Sequence, residues 1–488
     1  MTGIPIVTPL VQMWKRAVWS DRLPPRRDLH TLWCERSRLR HWSQTAPTAF
    51  RLLELLGPLH WAEFPERDLM RDWGQPTIPY AALAATVLVQ LNEGLVSMRQ
   101  VRRFLVEHPV LVWLLGFPLV AAPAQPWGLD ADASLPTARH LTHLLRVLPN
   151  AAAQYLLADS VSLICTALQA RGVERIGECV SLDTKHILAW VEENNPKAYV
   201  TDRYDKGKQP AGDPDCRLGC KRRRNQGTPP TPTTNPRPAS KLKRGEFYWG
   251  YGSGVVVVKV PEWGEFVIAE LTQPFDNGDL SYFFPLMTTT DQRLGFRPRW
   301  GTFDAAFDAF YVYEHFYRAD DPQAFAAVPF SERGGYKAGG RQFSPEGWPV
   351  CQAGLAMPLK FTYLDRTSAL IEHERGKYIC PLRATGEAPA EGCPVNHKRW
   401  SKGGCTAMMP TSIGARIRYQ LDRDSQAYKN VYKQRTATER INSQAVALGI
   451  ERPHLRNQQA IANHNTLIYL LINLRFLQRI QNRQPELP

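Results

Sequence analysis

The sequence predicts a mixed α/β protein: a sheet of about five strands flanked by helices, with an all-helical region in front and a β-rich insertion before the last helices. Three observations carry this reading. Residues 1 to 175 are dominated by Ala- and Leu-rich helical periodicity. From 178 onward, strand-like alternation and helical patterns follow one another. Between 331 and 420 that order breaks into Gly- and Pro-rich text with short strand-like runs, and helical periodicity then returns.

In the first region, YAALAATVLVQLNE (Tyr80 to Glu93) reads as a helix ended by Gly94. Ser97 opens SMRQVRRFLVEHPVLVWLLGF, with three arginines ahead of an apolar segment, and TARHLTHLLRVL follows Pro136. Short helices with arginines near one joint fit a DNA-binding or dimerisation module. ECVSLDTKHILAW (Glu178 to Trp190) alternates as a strand around Asp183, Lys185 and His186. Residues 201–245 are basic, Pro- and Thr-rich and poor in large apolar residues, so a disordered basic loop is expected.

YWGYGSGVVVVKV and EFVIAELTQP, joined at Trp263-Gly264, predict a hairpin. DLSYFFPLMTTTDQRL, from Asp279, predicts a helix. RWGTF predicts a short strand ending at Asp304, AAFDAFYVYEHFYR a helix and AFAAVPF another strand. In the insertion, LKFTYLD and ARIRYQLD are strand-like. A helix from Ala427 to Leu448 and a closing apolar helix from Gln458 to Gln481 complete the chain. The resulting division is 1–175, 176–330, 331–420 and 421–488, the second and fourth parts forming one α/β unit.

The net charge of +14 over 488 residues points to a polyanionic partner, nucleic acid first. Nine cysteines spread over this length do not make a secreted disulfide framework. No signal-peptide pattern opens the chain. The longest apolar run, Val110 to Ala122, contains Pro118 and falls short of the roughly twenty residues a bilayer span needs. A cytoplasmic protein with no membrane partner is expected.

The chemistry rests on three carboxylates. Asp183 lies mid-way along the first strand, and Asp304 closes a later strand, where ligands of open α/β sheets gather. On the Ala427–Leu448 helix, Tyr432, Arg435, Glu439 and Asn442 are spaced three, four and three apart and share one face. A Glu439–Arg435 ion pair on a solvated face is one reading of that spacing. If strands and helix converge, three acids meet and repel one another unless a cation lies between them. All-oxygen ligands suit Mg²⁺ or Mn²⁺. Two such ions about 4 Å apart can activate the nucleophile and stabilise the leaving oxygen of a phosphodiester. Asp308, one turn after Asp304, is a rival second acid. Lys185 and His186 are candidate DNA contacts. Cys380, Cys393, His397 and Cys405 supply the ligand types of a structural zinc site, at wider spacing than usual. Trp348 and Trp400 carry aromatic faces on which an unpaired base could stack.

This order of elements resembles that of the DDE transposases of bacterial insertion sequences, which have a ribonuclease-H-like catalytic fold. Tyr432, Arg435 and Glu439 match the Tyr-x2-Arg-x3-Glu signature of one large branch, and the surroundings of Asp183 and Asp304 are similar to those of its other two acids. Residues 331–420 stand where that branch carries a β-rich insertion. The resemblance implies a transposase that binds the element's terminal inverted repeats, cuts DNA and joins the ends to a target. It implies that Asp183, Asp304 and Glu439 hold two Mg²⁺ or Mn²⁺ ions. It also implies that Tyr432 and Arg435 touch the DNA backbone, and that at least a homodimer forms on double-stranded DNA. Seven residues after Glu439 the branch has lysine and this chain has Val446, so that phosphate contact is expected to be absent or supplied by another residue such as Arg440 or Arg452. Three other readings stand beside this one: a nuclease of the same fold without strand transfer, a transposase-derived DNA-binding protein without catalysis, and a protein whose basic linker binds RNA while the α/β domain is merely structural.

Overall fold

The computed structural model describes residues 27–69, 77–222, 245–331, 341–366, 370–384 and 391–483. The fold is a curled mixed sheet between two layers of helices. Its strands are β1 (Cys179–Leu188), β2 (Arg217–Arg222), β3 (Gly245–Val260), β4 (Gly264–Pro274), β5 (Trp300–Thr302) and β6 (Phe325–Ala327). The sheet runs in the order β2-β3-β1-β5-β6, with β4 also paired to β3. β3 is antiparallel to both β1 and β4, whereas β5 is parallel to β1 and β6 is parallel to β5.

Four consecutive valines, Val255 to Val258, explain why β3 is the spine. They are β-branched, carry no polar atom, and alternate between the two faces. Val255 and Val257 join a core with Ala437, Ile441 and the closing helix Gln458–Asn482. Val256 and Val258 join a second core with Phe266, Phe283 and Leu286. Both faces are covered, so the strand reads as a continuous apolar run.

Among the described residues every element between 29 and 169 is a helix or 3-10 turn, and these helices do not stand apart from the sheet. Most of their buried residues form one cluster with the closing helix, while Val161, Ile164 and Leu168 join the second core. The joint carries a polar seam of Asn463, Asn465, Thr466 and Asn473, all fully buried. Asn150 reaches Asn463 and Thr466, and Gln154 reaches Glu270. Asn473 donates to the Val267 carbonyl and accepts from the Val267 N–H, both at 2.8 Å. Removing that amide strands two buried backbone groups. Asn473→Ala is therefore expected to lower the unfolding free energy by about 2–4 kcal/mol in urea titrations. A loss under about 1 kcal/mol would contradict this role.

Among the described residues one helix, Asn150–Gln169, is long and apolar enough to cross a membrane. Ala152, Ala153, Leu156, Leu157, Val161, Ile164 and Leu168 of that helix are buried against other parts of the protein.

Four expectations are corrected. The helix expected from Ala427 to Leu448 is two helices, Gln426–Tyr432 and Thr436–Ala447, joined by a 3-10 turn at Lys433–Arg435. The segment expected as a disordered loop over 201–245 is partly ordered: Asp213 and Cys216 are fully buried and β2 pairs with β3, while residues 223–244 lie outside the described residues. The run ARIRYQLD is not a strand, because the helix Ile413–Gln420 covers most of it and buries Gly414 and Ala415. The expected helices from Asp279 and Ala305 each begin as a 3-10 turn, with α-helix only from Phe283 and Phe310. In the insertion, β7 (Leu359–Asp365), β8 (His373–Ile379) and β9 (Thr406–Pro410) form a separate antiparallel sheet. Its small core of Met357, Tyr378, Met409 and Ala415 meets Phe310, which also packs on the second core of the larger sheet.

Candidate active site

Sheet topology makes the site. β5 pairs with β1 only from Cys179 to Ser181. Beyond Ser181 that edge of β1 has no parallel neighbour among the described residues, and Asp183 lines the opening. Asp304 follows β5 by two residues, its Oδ1 accepting from the Ala306 N–H at 2.8 Å as an N-cap. Both acids line a cleft of about 2000 Å³. Tyr432, Arg435 and Asn442 line it from the helix pair, and Lys185, His186, Arg452 and Arg456 line it farther along.

The 3-10 turn presents Arg435. Three residues per turn stack Arg435 under Tyr432, and such a turn inside a helix often marks a functional position. A buried relay holds it: the Thr302 hydroxyl donates to Ser181 Oγ at 2.8 Å, and Ser181 donates to the Gln434 carbonyl at 3.2 Å. Thus β5, β1 and the turn are tied together beside the acids. Thr438 donates to the Arg435 carbonyl at 2.7 Å, satisfying a second carbonyl of the turn. Tyr432 stacks on Tyr428 at 5.7 Å.

Arg435 lies between two acids. Its guanidinium is 3.6 Å from Asp183 Oδ2 and 2.7 Å from Glu439 Oε1. Asn442 Nδ2 approaches Asp183 at 3.4 Å, and Thr184 N donates to Asp183 Oδ1 at 3.0 Å. Burial pushes the Asp183 carboxyl up to about 6; Arg435 opposes this, and Asp304 and Asp279 add to it. Burial also raises Asp304, against the Ala306 N–H and with the help of Asp279. Burial works against the Arg435 charge, but its neighbours, Asp183 first, hold it above its usual value.

The expected residues do not all meet. Asp183, Asp304, Tyr432 and Arg435 come together. Glu439 does not line the cleft: its side chain is 57% exposed and faces Arg435. The spacing that suggested an ion pair with Arg435 does produce one. Arg440 points elsewhere and is paired with Glu265 of β4. Lys185 lines the cleft and binds Glu451 at 2.5 Å. His186 packs on Phe275. Val446 is exposed, and of the two arginines considered in its place only Arg452 lines the cleft.

Asp308 has a structural partner set. It is fully buried, paired with Arg418, and accepts from the Tyr313 hydroxyl and the Ser331 N–H. Asp279 was missed. It sits in the turn after the hairpin, where Asp276-Asn277-Gly278 reads simply as loop chemistry before a helix. Its contact with Thr184, 95 residues distant in sequence, has no local signal.

Among the described residues, no group of three or more His, Cys, Asp or Glu is arranged to hold a metal ion. The quartet Cys380, Cys393, His397 and Cys405 is thus not gathered. Cys405 lies against Cys380 instead, and burial pushes its thiol up to about 12, with Cys380 and Cys351 adding to the rise. Trp400 carries the Arg383 guanidinium 4.5 Å over its ring, and Trp348 is 41% exposed.

Comparisons with models of known protein families, with curated proteins and with solved structures find no match to this chain.

Proposed function

We propose that this chain is a DDE-type transposase with a ribonuclease-H-like catalytic unit, cutting and joining DNA by metal-dependent attack on phosphodiesters. The observation that carries the reading is the meeting of Asp183 and Asp304 at the opening between β1 and β5, with Arg435 and Tyr432 beside them. The order of strand, hairpin, helix, strand, helix, strand, insertion and helices supports it too.

The donor set suits a hard divalent cation. Asp183 and Asp304 offer carboxylate oxygens, and the buried Asn442 Oδ1 in the same cleft has no hydrogen-bond partner among the described residues. Asp183, Asp304 and Glu439 would hold the metal, which supplies Lewis-acid stabilisation of the attacking and leaving oxygens. Glu439 is paired with Arg435 in this structure, so it would have to exchange that partner to join Asp183 and Asp304. A phosphate entering the cleft offers Arg435 a bidentate partner in exchange. Arg452, Arg456 and Lys206 along the cleft favour a polyanion. Bringing two DNA ends together needs at least a dimer.

The outward position of Glu439 favours a second reading, a transposase-derived DNA-binding protein without catalysis. One assay separates them. A supercoiled donor plasmid carrying the element's inverted repeats is incubated with Mg²⁺ and either wild type or Glu439→Gln. Cleaved and joined products from wild type alone are expected. Cleavage without joining would indicate a nuclease, and DNA binding with no metal-dependent product would establish the second reading.

A further inference from the structure

The cleft contains a carboxylate that the transposase signature does not name. Asp279 lines it together with Asp183 and Asp304, whereas Glu439 does not. Its Oδ1 accepts from the Thr184 hydroxyl at 2.7 Å. Thr184 in turn donates its backbone N–H to Asp183 Oδ1 at 3.0 Å. Asp279 is thus joined to the first acid through one residue.

The sequence builds this approach deliberately from the opposite face of the sheet. Thr184 is paired with Gly254 of β3, and His186 with Gly252. A Cβ on Gly254 would lie 2.5 Å from the Tyr282 ring, and one on Gly252 would lie 2.4 Å from the Tyr282 hydroxyl. The two glycines let Tyr282 lie against the strand, where it is 2% exposed. Tyr282 ends the 3-10 turn that begins at Asp279, so seating the ring brings the carboxylate to Thr184.

We propose that Asp279 is a positioning residue for the cation-binding pair, acting through Thr184 to fix the Asp183 carboxylate and so set the cleft's affinity for a divalent ion. This rests on the metal-dependent reading of the cleft. Outer partners that orient ligating carboxylates are worth about 10–100-fold in metal affinity when removed. The charge of Asp279 also bears on Asp304, which couples the two acids of the pair.

The test is Mn²⁺ binding to the full-length protein without DNA, followed by calorimetry and by the spin-resonance signal of free Mn²⁺. The variants are Asp279→Asn, Thr184→Val and Asp279→Glu, with thermal melting in metal-free buffer to confirm folding. Asp279→Asn and Thr184→Val are expected to weaken Mn²⁺ binding about tenfold or more. Asp279→Glu is expected to restore part of it. A variant that melts earlier but keeps wild-type affinity would show a purely structural role and overturn the proposal. Weakening by Asp279→Asn without weakening by Thr184→Val would overturn the route through Thr184. If the wild type bound no Mn²⁺, the metal-dependent reading itself would fall, and this inference with it.

Discussion

Asp183→Asn is expected to abolish metal-dependent DNA cleavage and, in the same protein, to raise stability at neutral pH in metal-free buffer. The second effect follows from burial, which pushes this carboxyl up to about 6 against Arg435. An aspartate in the unfolded chain titrates near 3.9. Between these values the folded state binds the proton more tightly than the unfolded state. The carboxylate therefore costs the fold nothing below about pH 4, and its penalty grows as pH rises and is complete above the folded value. Wild-type stability should fall over that window, and the asparagine variant should lack this fall. At pH 7.5 the difference should be about 1–3 kcal/mol in favour of the variant. Paired urea titrations at pH 4.5 and 7.5 measure it. Equal slopes with pH for both proteins would contradict the burial account. Opposite signs for stability and activity are what a strained, cation-seeking acid should give, and an aspartate kept for structure should not.

The sequence made the strands of the main sheet legible because their signals are local. Alternation around Asp183 and the valine run of β3 appear as strands where expected, and the hairpin turn ends at Trp263 with β4 starting at Gly264. The closing helix was legible for the same reason, since its apolar residues repeat over many turns. What failed depended on contacts distant in sequence. The 3-10 turn at Lys433–Arg435 is stabilised partly by Ser181 of β1, which no periodicity reports. Burial of Cys216 and of Asp213, whose Oδ1 accepts from the Tyr251 hydroxyl, orders a stretch whose composition alone suggested disorder. The position of Glu439 could not be read from spacing either. The same i, i+4 interval serves a metal ligand and an ion pair, and only the location of Arg435 between the two acids separates those uses. Asp279 carried no signal, because a turn aspartate before a helix is ordinary sequence.

Arg418→Ala is expected to be the most destabilising of the substitutions considered, and it distinguishes the two aspartates that compete for the role of second acid. Asp308 is fully buried, and Arg418 meets both of its oxygens, Nε at 2.7 Å from Oδ1. The Tyr313 hydroxyl and the Ser331 N–H supply the remaining bonds, at 2.7 and 2.8 Å. Arg418 belongs to the helix Ile413–Gln420, at the end of the insertion, so the pair ties that helix to the turn that leads into the Phe310–Phe316 helix. Gly414 packs there with no room for a side chain, a Cβ falling 2.1 Å from the Phe310 carbonyl. Removing the guanidinium leaves a buried charge with only neutral partners, a loss of about 3–5 kcal/mol. Replacing both partners, as in Arg418→Met with Asp308→Leu, should recover much of it, because the buried charge goes with its partner. The double-mutant cycle, measured by urea unfolding, should therefore give a coupling of several times the error of either single variant. Asp304 predicts the reverse pattern. Among the described residues it is held by a backbone cap and not by a paired side chain, and burial raises its carboxyl as it does that of Asp183, so Asp304→Asn should keep or raise stability while removing activity. If Asp308→Asn proved active and unstable, and Asp304→Asn inactive and stable, the second acid would be Asp304. The opposite pair of results would transfer the role to Asp308.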